Sequence, residues 1–442
     1  MILKKIIFFL VCILLYQTQL YSKSNSFGDF NSKNLAKYFS GIIALENKDN
    51  AEALDFFKSS KVLLDKHDTF LRKYVNSLVL EDKISQAISV IKKNKDKDYS
   101  DFFDAYLILT LDSIKKNDLI NANLQLKKMS NLSNLDRFNE VVIKSLKQYV
   151  FVFREKKIPK NTEEFGKLSI ISETFQRCYL EDKKTETFFS QIINDVETNY
   201  TRYIFFYLSY LIENKKLDEA KEIIDELDYI NSTLLLSQAK SLIQDNNFKQ
   251  LKSFFTCKNK DDIISEFLFL ISNLYSSQDN FGKSNFYLNL SNFMNPKFIF
   301  NLSLVADNQY KNREYKKALK TLKNFEKDNK FYHWYSVKKK ALIIEKQKNI
   351  EESLNFIINE FKKIEKPNNK ILFDIANFYK KTEKYEKSIE YYTRLINDLS
   401  LSTDIKSDLL YRRGGSYERI GMFEEADIDL LNALKLSPDD PY

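Results

Sequence analysis

A small side chain returns along this sequence at intervals close to one helical hairpin. Ala53, Ala87, Ala122, Ala220, Ser284, Ala318, Ser353, Ser388 and Ala426 occupy equivalent places, and Leu251, the bulky exception, fills a tenth. The steps between them are 34, 35, 98, 31, 33, 34, 35, 35 and 38 residues. A period near 34 with a small residue in the second helix marks an array of helical hairpins. Such a fold is a one-dimensional stack with no central core and no pre-formed active site, and its usual product is a long binding surface. The expected fold class is all-α: an α-solenoid of about ten to twelve helix-turn-helix repeats forming a superhelix.

The clearest unit runs from Ser407 to Asp440. Counted from its first residue, it has Leu410 at position 4, Gly414 at 8, Tyr417 at 11, Gly421 at 15, Phe423 at 17, Ala426 at 20, Leu430 at 24, Ala433 at 27 and Pro438 at 32. Apolar residues at 4, 7 and 11 draw a stripe on a first helix, and those at 17, 24 and 27 draw one on a second. Small residues at 8 and 20 let the two helices cross closely. Gly or a polar residue near 15 turns the chain, and Pro at 32 stops the second helix. Units starting at Ser265, Ile299, Trp334 and Asn369 fall in phase, with Ser272 and Ser284, Ala306 and Ala318, Ala341 and Ser353, and Ala376 and Ser388 at positions 8 and 20. This pattern resembles the tetratricopeptide repeat. Arg413 departs from it at position 7, where the family favours Leu; its stem is expected to lie on apolar surface while its head stays wet.

Toward the N-terminus the units are weaker, starting at Asn34, Asp68, Phe103, Thr201 and Ser232. Between Arg137 and Asn199 the motif is lost, although helical periodicity survives. An apolar helix over Phe138–Arg154 is expected, then a polar break at Lys156–Glu164 containing Pro159. Tyr149–Phe153 reads as a buried helix end, since a lone strand has nothing to pair with. The expected organisation is a signal peptide or short N-terminal anchor at 1–24, degenerate repeats at 25–155, an irregular helical region or boundary at 156–200, degenerate repeats at 201–264, and a well-formed array at 265–442.

The first residues carry an address. Lys4 and Lys5 precede the ten apolar residues Ile6–Leu15, and a polar stretch ends in Ser22-Lys23-Ser24. This has the three regions of a secretory signal, and its apolar run is too short for the roughly 20 residues of a membrane span. Export to a periplasm or cell envelope is the expectation. The excess of Lys, Asn, Ile, Phe and Tyr looks like that of an AT-rich bacterial genome. Cys178 and Cys257 remain after signal removal, 79 residues apart and more than two repeats along the stack, so buried unbridged thiols are expected. The formal charge of +8 comes from 69 basic and 61 acidic residues interspersed along the chain. Without a long basic block, nucleic acid is not an expected partner.

Chemistry-bearing motifs are absent from the sequence: no phosphate-cradling Gly-rich loop, CxxC, HExxH or GxSxG. His67 and His333 have no second ligand at helical spacing, so no metal, cofactor or catalytic residue is assigned. The resemblance instead implies that positions 2, 5, 9, 12 and 13 of the first helices line a concave groove. Carried onto this chain, those places hold Tyr335, Lys338, Leu342, Glu345 and Lys346, then Lys370, Phe373, Asn377, Lys380 and Lys381, then Asp408, Tyr411, Gly415, Glu418 and Arg419, with Arg412 adjacent; the candidate groove residues chosen among them are Lys338, Phe373, Asn377, Lys381, Tyr411, Arg412 and Arg419. Some family members clamp a terminal carboxylate there with Lys and Asn. Here Lys338 and Arg412 occupy two clamp places, while Leu342, Asp374 and Asp408 break the rest. What remains is a mildly basic groove for protein or peptide partners of acidic character, weighed equally against an ordinary solvated face.

The expected function is a non-enzymatic scaffold holding proteins in the groove. The alternatives are the targeting or regulatory arm of a larger enzyme, separable by whether the reading frame continues, and a cytosolic adaptor, separable by fractionation. The final unit ends at Asp440, and Pro441-Tyr442 look like the start of another repeat. An uncapped end is therefore expected, with Tyr417, Leu430, Leu431 and Leu434 exposed and either a longer gene product, a docked partner or self-association to cover them.

Overall fold

The small residues of the repeat sit where two helices touch. All ten places of the series are at most 3% exposed, Leu251 included. At these crossings backbone and hydroxyl meet: Ser353 Oγ donates to the carbonyl of Ala341 at 2.7 Å, and Ser272 and Ser284 hydroxyls lie 2.9 Å apart. A Cβ on Gly414 would stand 3.1 Å from Leu430 Cγ, and one on Gly41 would stand 2.9 Å from the Phe57 ring.

The computed structural model describes residues 31–438 apart from positions 68, 96, 134, 161–162, 195–200, 227–232, 326–329 and 399–400; the expected signal at 1–24 and the last four residues lie outside the described residues. Two units divide the chain, Met1–Phe102 and Phe103–Tyr442. The first holds α1 (Ser32–Glu46), α2 (Asn50–Ser59), α3 (Phe70–Leu80) and α4 (Ile84–Lys93), which pair into two hairpins. The second holds α5 (Phe103–Lys115), α6 (Leu119–Ser130), α7 (Arg137–Glu155), α8 (Lys167–Tyr179), α9 (Thr185–Ile193), α10 (Thr201–Glu213), α11 (Leu217–Glu226), α12 (Leu234–Gln244) and α13 (Phe248–Phe254). It continues through α14 (Lys260–Ser277), α15 (Phe281–Met294), α16 (Asn301–Lys311), α17 (Tyr315–Leu322), α18 (Lys330–Gln347), α19 (Ile350–Phe361), α20 (Asn369–Lys381), α21 (Tyr385–Ile396), α22 (Thr403–Arg419) and α23 (Phe423–Leu436). No strand occurs among the described residues. The fold is an all-α, solenoid-type array of helical hairpins.

One local device turns most hairpins. Lys48, Asp82, Asn117, Lys215, Asn246, Asp279, Arg313, Glu383 and Gly421 all take the left-handed conformation directly after a first helix. The next residue's N–H then bonds back into that helix, as from Asn280 to Tyr275 O at 3.0 Å and from Met422 to Tyr417 O at 3.0 Å. Asp49, Asp118, Asn247 and Asn280 then cap the second helix with their side chains.

In the segment without the motif, α7, α8 and α9 are helices, and no helix lies between Glu155 and Lys167 among the described residues. Tyr149–Phe153 lies inside α7, with Tyr149, Val150, Val152 and Phe153 buried. Residues 167–193 form a hairpin of their own, α8 against α9.

The middle of the second unit departs from a one-dimensional stack, and a central core does form there. Helix α5 reaches α15, where Lys115 Nζ donates to the carbonyls of Phe293 at 2.7 Å and Met294 at 3.1 Å. Tyr149 of α7 packs on Phe267 of α14, and Tyr332 of α18 donates to Gln238 of α12 at 2.8 Å. The cause is composition. Helix α10 buries Tyr203, Phe205, Phe206, Tyr207, Leu208, Leu211 and Ile212, so it is apolar on every side and needs neighbours all round. Helices α5 and α14 share that character.

This folding-back overturns the expectation for the cysteines. Cys178 and Cys257 form a disulfide, with Cα atoms 5.8 Å apart. Their separation along the sequence spans more than two repeats, but both flank α10. Phe206 of that helix packs on Phe175 beside Cys178 and on Phe255 beside Cys257, at centroid distances of 5.3 and 4.3 Å. Both half-cystines are buried.

Two outcomes follow. Ala318→Phe should overpack a crossing and cost about 1–3 kcal/mol, with hydrogen exchange rising mainly in α16–α19; an unchanged thermal melt would show the crossing to be elsewhere. Denatured, unreduced protein should leave Cys178 and Cys257 unlabelled by iodoacetamide. Cys178→Ser should lower stability by about 2–4 kcal/mol, read from denaturant melts.

Candidate protein-binding groove

The groove residues named from sequence lie on α18, α20 and α22, and the structure divides them sharply. Lys338 of α18 pairs with Asp374 of α20 at 2.8 Å, and the same carboxylate accepts Trp334 Nε1 at 2.8 Å. Lys381 of α20 reaches back to Glu345 of α18 at 2.6 Å. One repeat earlier, Lys339 and Tyr335 of α18 both hold Asp307 of α16, at 2.7 and 3.0 Å. These cations lace consecutive first helices together.

Phe373 is 9% exposed and belongs to a core with Leu372, Tyr392 and Leu395; the Arg412 guanidinium lies over its ring at 5.2 Å. Asn377 is also engaged, its Oδ1 accepting from Tyr392 Oη at 2.6 Å. Arg412 Nε faces both oxygens of Asp408, at 2.8 and 2.9 Å. Tyr411 is 44% exposed, and Arg419, at the end of α22, is exposed with no ion pair among the described residues.

Sequence reasoning left Lys380 out of the chosen set. Its Nζ donates to the Arg412 carbonyl at 3.0 Å and lies where a Cβ on Gly415 would stand 3.2 Å away. Burial first, then the charge of Arg412, push Lys380 below the usual lysine pKa; Asp408 opposes them, and Arg419 adds a smaller push. Gly415 at a groove-lining place was the available signal.

Beside this cluster an open pocket of about 760 Å³ lies between α22 and α23, lined by Asp408, Tyr411, Arg412, Leu430, Leu431 and Leu434 among others. Leu431 and Leu434 are each 58% exposed. Tyr417 and Leu430 are only half-exposed: Arg413 lies over the Tyr417 ring at 5.7 Å, and Leu430 packs where Gly414 leaves room. Arg413 itself corrects the expectation of a wet head. Its guanidinium forks onto buried Asp429 with two bonds of 2.7 Å and reaches Thr393 at 2.9 Å.

The most deeply buried ion pair among the described residues lies away from the groove. Arg202 of α10 grips Glu266 of α14, which is 2% exposed, through bonds of 2.6–3.1 Å and stacks on Phe269 at 3.6 Å. Arg202 also donates to Asn301 of α16 at 2.8 Å. Burial raises the Glu266 pKa and the Arg202 charge opposes it. Near the start of α14, burial pushes Asp262 up to about 7, opposed by the N–H of Thr256. Among the described residues, no group of three or more His, Cys, Asp or Glu is placed to hold a metal ion, and no helix is long and apolar enough to cross a membrane.

Hairpins with small residues at both crossing places, turned by the same left-handed residue, define a helical-repeat protein. The family model of the tetratricopeptide repeat matches residues 370–397 and 407–440, so the chain carries that repeat there. Among solved structures it is similar to the Cut9–Hcn1 hetero-tetramer of the APC/C, at 13% identity over 93% of this chain and 88% of that one, with a TM-score of 0.30. It is also similar to yeast Tom70, at 12% identity over 92% of each chain, with a TM-score of 0.33. A search of curated proteins finds no match.

The folded chain keeps the Asp262 proton to about pH 7, while the unfolded chain releases it at the ordinary aspartate value. Stability should therefore fall as pH rises between the two. Asp262→Asn should reduce that slope in melts taken across the window; an unchanged slope would show that Asp262 does not titrate there.

Proposed function

We propose that this tetratricopeptide-repeat protein is a non-enzymatic scaffold exported to the periplasm or envelope of a bacterium, where it holds other proteins on the first-helix face of its last repeats. The observation that carries the reading is the face itself. Ion pairs running from α16 to α18 and from α18 to α20 hold the first helices in register, while Tyr411 and Arg419 stay open to solvent. A surface already ordered before its partner arrives loses less entropy on binding.

Two features support export. The N-terminal charge pattern reads as a secretory signal, and a disulfide persists most readily in an oxidising compartment. The disulfide favours this reading over a cytosolic adaptor. The exposed end of α22 and α23 is a second contact surface, available to a partner or to another copy of the chain.

A fusion of residues 1–30 to a reporter active only outside the cytoplasm should give activity, and a stable but silent fusion would rule out export. A photo-crosslinker at Tyr411 should capture a partner in cells, while one at Glu390, exposed on α21, should not. Equal capture from both positions, or none from Tyr411, would remove the groove from the account.

A further inference from the structure

Helix α1, in the first unit, is apolar on two sides. Tyr38, Gly41 and Ala44 are buried, and Tyr38 packs on the Phe57 and Phe70 rings. On roughly the opposite side of the helix stand Ala36, Phe39 and Ile43, all exposed, the last two at 54% and 59%. With Ser32 before them and Glu46 after, the steps along this stripe are 4, 3, 4 and 3 residues. A helix face that meets only water is ordinarily polar. A narrow stripe with this alternation is the seam that one further helix fills. The charges at its two ends are also misplaced for a helix standing alone. Lys33 lies in the first turn and Glu46 is the last residue, so each sits at the pole of the α1 dipole that repels it. Both side chains are exposed, and neither has an ion pair among the described residues.

We infer that this face of α1 is a self-association surface, and that its occupant is the α1 of a second copy of the chain, packed antiparallel about a two-fold axis. Antiparallel pairing sets Phe39 of one copy opposite Ile43 of the other, and the axis makes that contact twice. It also brings Lys33 of each copy close to Glu46 of the other. Lys33 then lies at the negative pole of the facing helix and Glu46 at the positive one, so both charges gain what they lack in their own helix. A parallel pair would set Lys33 against Lys33 and Glu46 against Glu46. A lipid surface fits less well, because it calls for a broad apolar face rich in basic flanks, whereas this stripe is one seam wide and ends in an acid. The competing occupant is the chain's own apolar run, Ile6–Leu15, which the export reading removes with the signal. The inference does not depend on what the first-helix groove holds. Its consequence for a scaffold is bivalency, since a pair of copies presents every partner-binding surface twice.

A seam one helix long is smaller than a standard interface, so the association should be weak. Sedimentation velocity of the full chain should show monomer at about 1 µM and dimer at about 200 µM. Phe39→Ser and Ile43→Ser should each raise the dissociation constant about tenfold with unchanged thermal melts, because both side chains are already exposed. Ile120→Ser, which removes a still more exposed apolar side chain from the second unit, should leave it unchanged. Lys33→Glu and Glu46→Lys should each weaken the dimer about fivefold, and the two together should restore it, as only an antiparallel pair allows. A photo-crosslinker at Phe39, in a mixture of isotopically heavy and light chains, should join α1 of one copy to α1 of another. A chain that stays monomeric throughout overturns the inference. So does a dimer indifferent to Phe39→Ser and Ile43→Ser, one weakened equally by Ile120→Ser, or a charge swap that fails to restore what the single changes lose. A crosslink from Phe39 to Ile6–Leu15 of the same chain would assign the face to that segment and overturn it as well.

Discussion

The closeness of two helices at each hairpin crossing governs the rest of this structure. It is achieved by removing side chain rather than adding attraction: Ala318, Ser353, Ser388 and Ala426 leave the facing helix nothing to strike. Where the residue is Ser, its hydroxyl satisfies itself on the partner backbone, as Ser353 does on Ala341. A polar atom at a dry crossing costs little when its partner is fixed in place. The spacing of first helices follows from these crossings. It is that spacing which brings Lys338 within reach of Asp374 and Lys381 within reach of Glu345.

A second force acts on the middle of the chain. Helices with one apolar stripe are content between two neighbours, but α5, α10 and α14 are apolar all round. They draw distant hairpins onto themselves, and the seam closes over aromatic rings, the Arg202–Glu266 pair and the Cys178–Cys257 bridge. A buried charge pair is weak evidence for stability, but losing one partner strands the other. The pair therefore tolerates only one arrangement of α10 against α14.

Much of the architecture was legible in the sequence because it depends on local rules. The small residue at position 20, the polar or Gly turn and the buried end of α7 each follow from spacing a few residues wide. The motif is lost in the sequence between Arg137 and Asn199, so α8 and α9 fall within what reads there only as an irregular helical region. The disulfide escaped because its proximity depends on hairpins that are not consecutive. In the groove, placing Lys338 and Lys381 on one face was not enough: their partners lie 36 residues away, about one repeat along. Opposite charges separated by roughly one period were a readable signal, as was Gly415 beneath Lys380. Arg413 escaped for a simpler reason, since Asp429 lies on the opposite helix of its own hairpin.

The folding-back of α5–α15 also changes how the molecule comes apart. In a simple stack each hairpin opens at a cost set by its two neighbours, so unfolding spreads from the ends as a fraying front. Here the hairpins between Phe103 and Met294 are tied to one another out of sequence, through Lys115 at one extreme and the Cys178–Cys257 bridge within. None of them can leave alone, so that region opens as one cooperative block. Tyr332 ties α18 to α12 as well, whereas the helices from α19 onward touch mainly the hairpins beside them and open one at a time from the α23 end. The chain thus joins an all-or-none body to a graded arm, and the surface proposed to meet partners lies on the graded part.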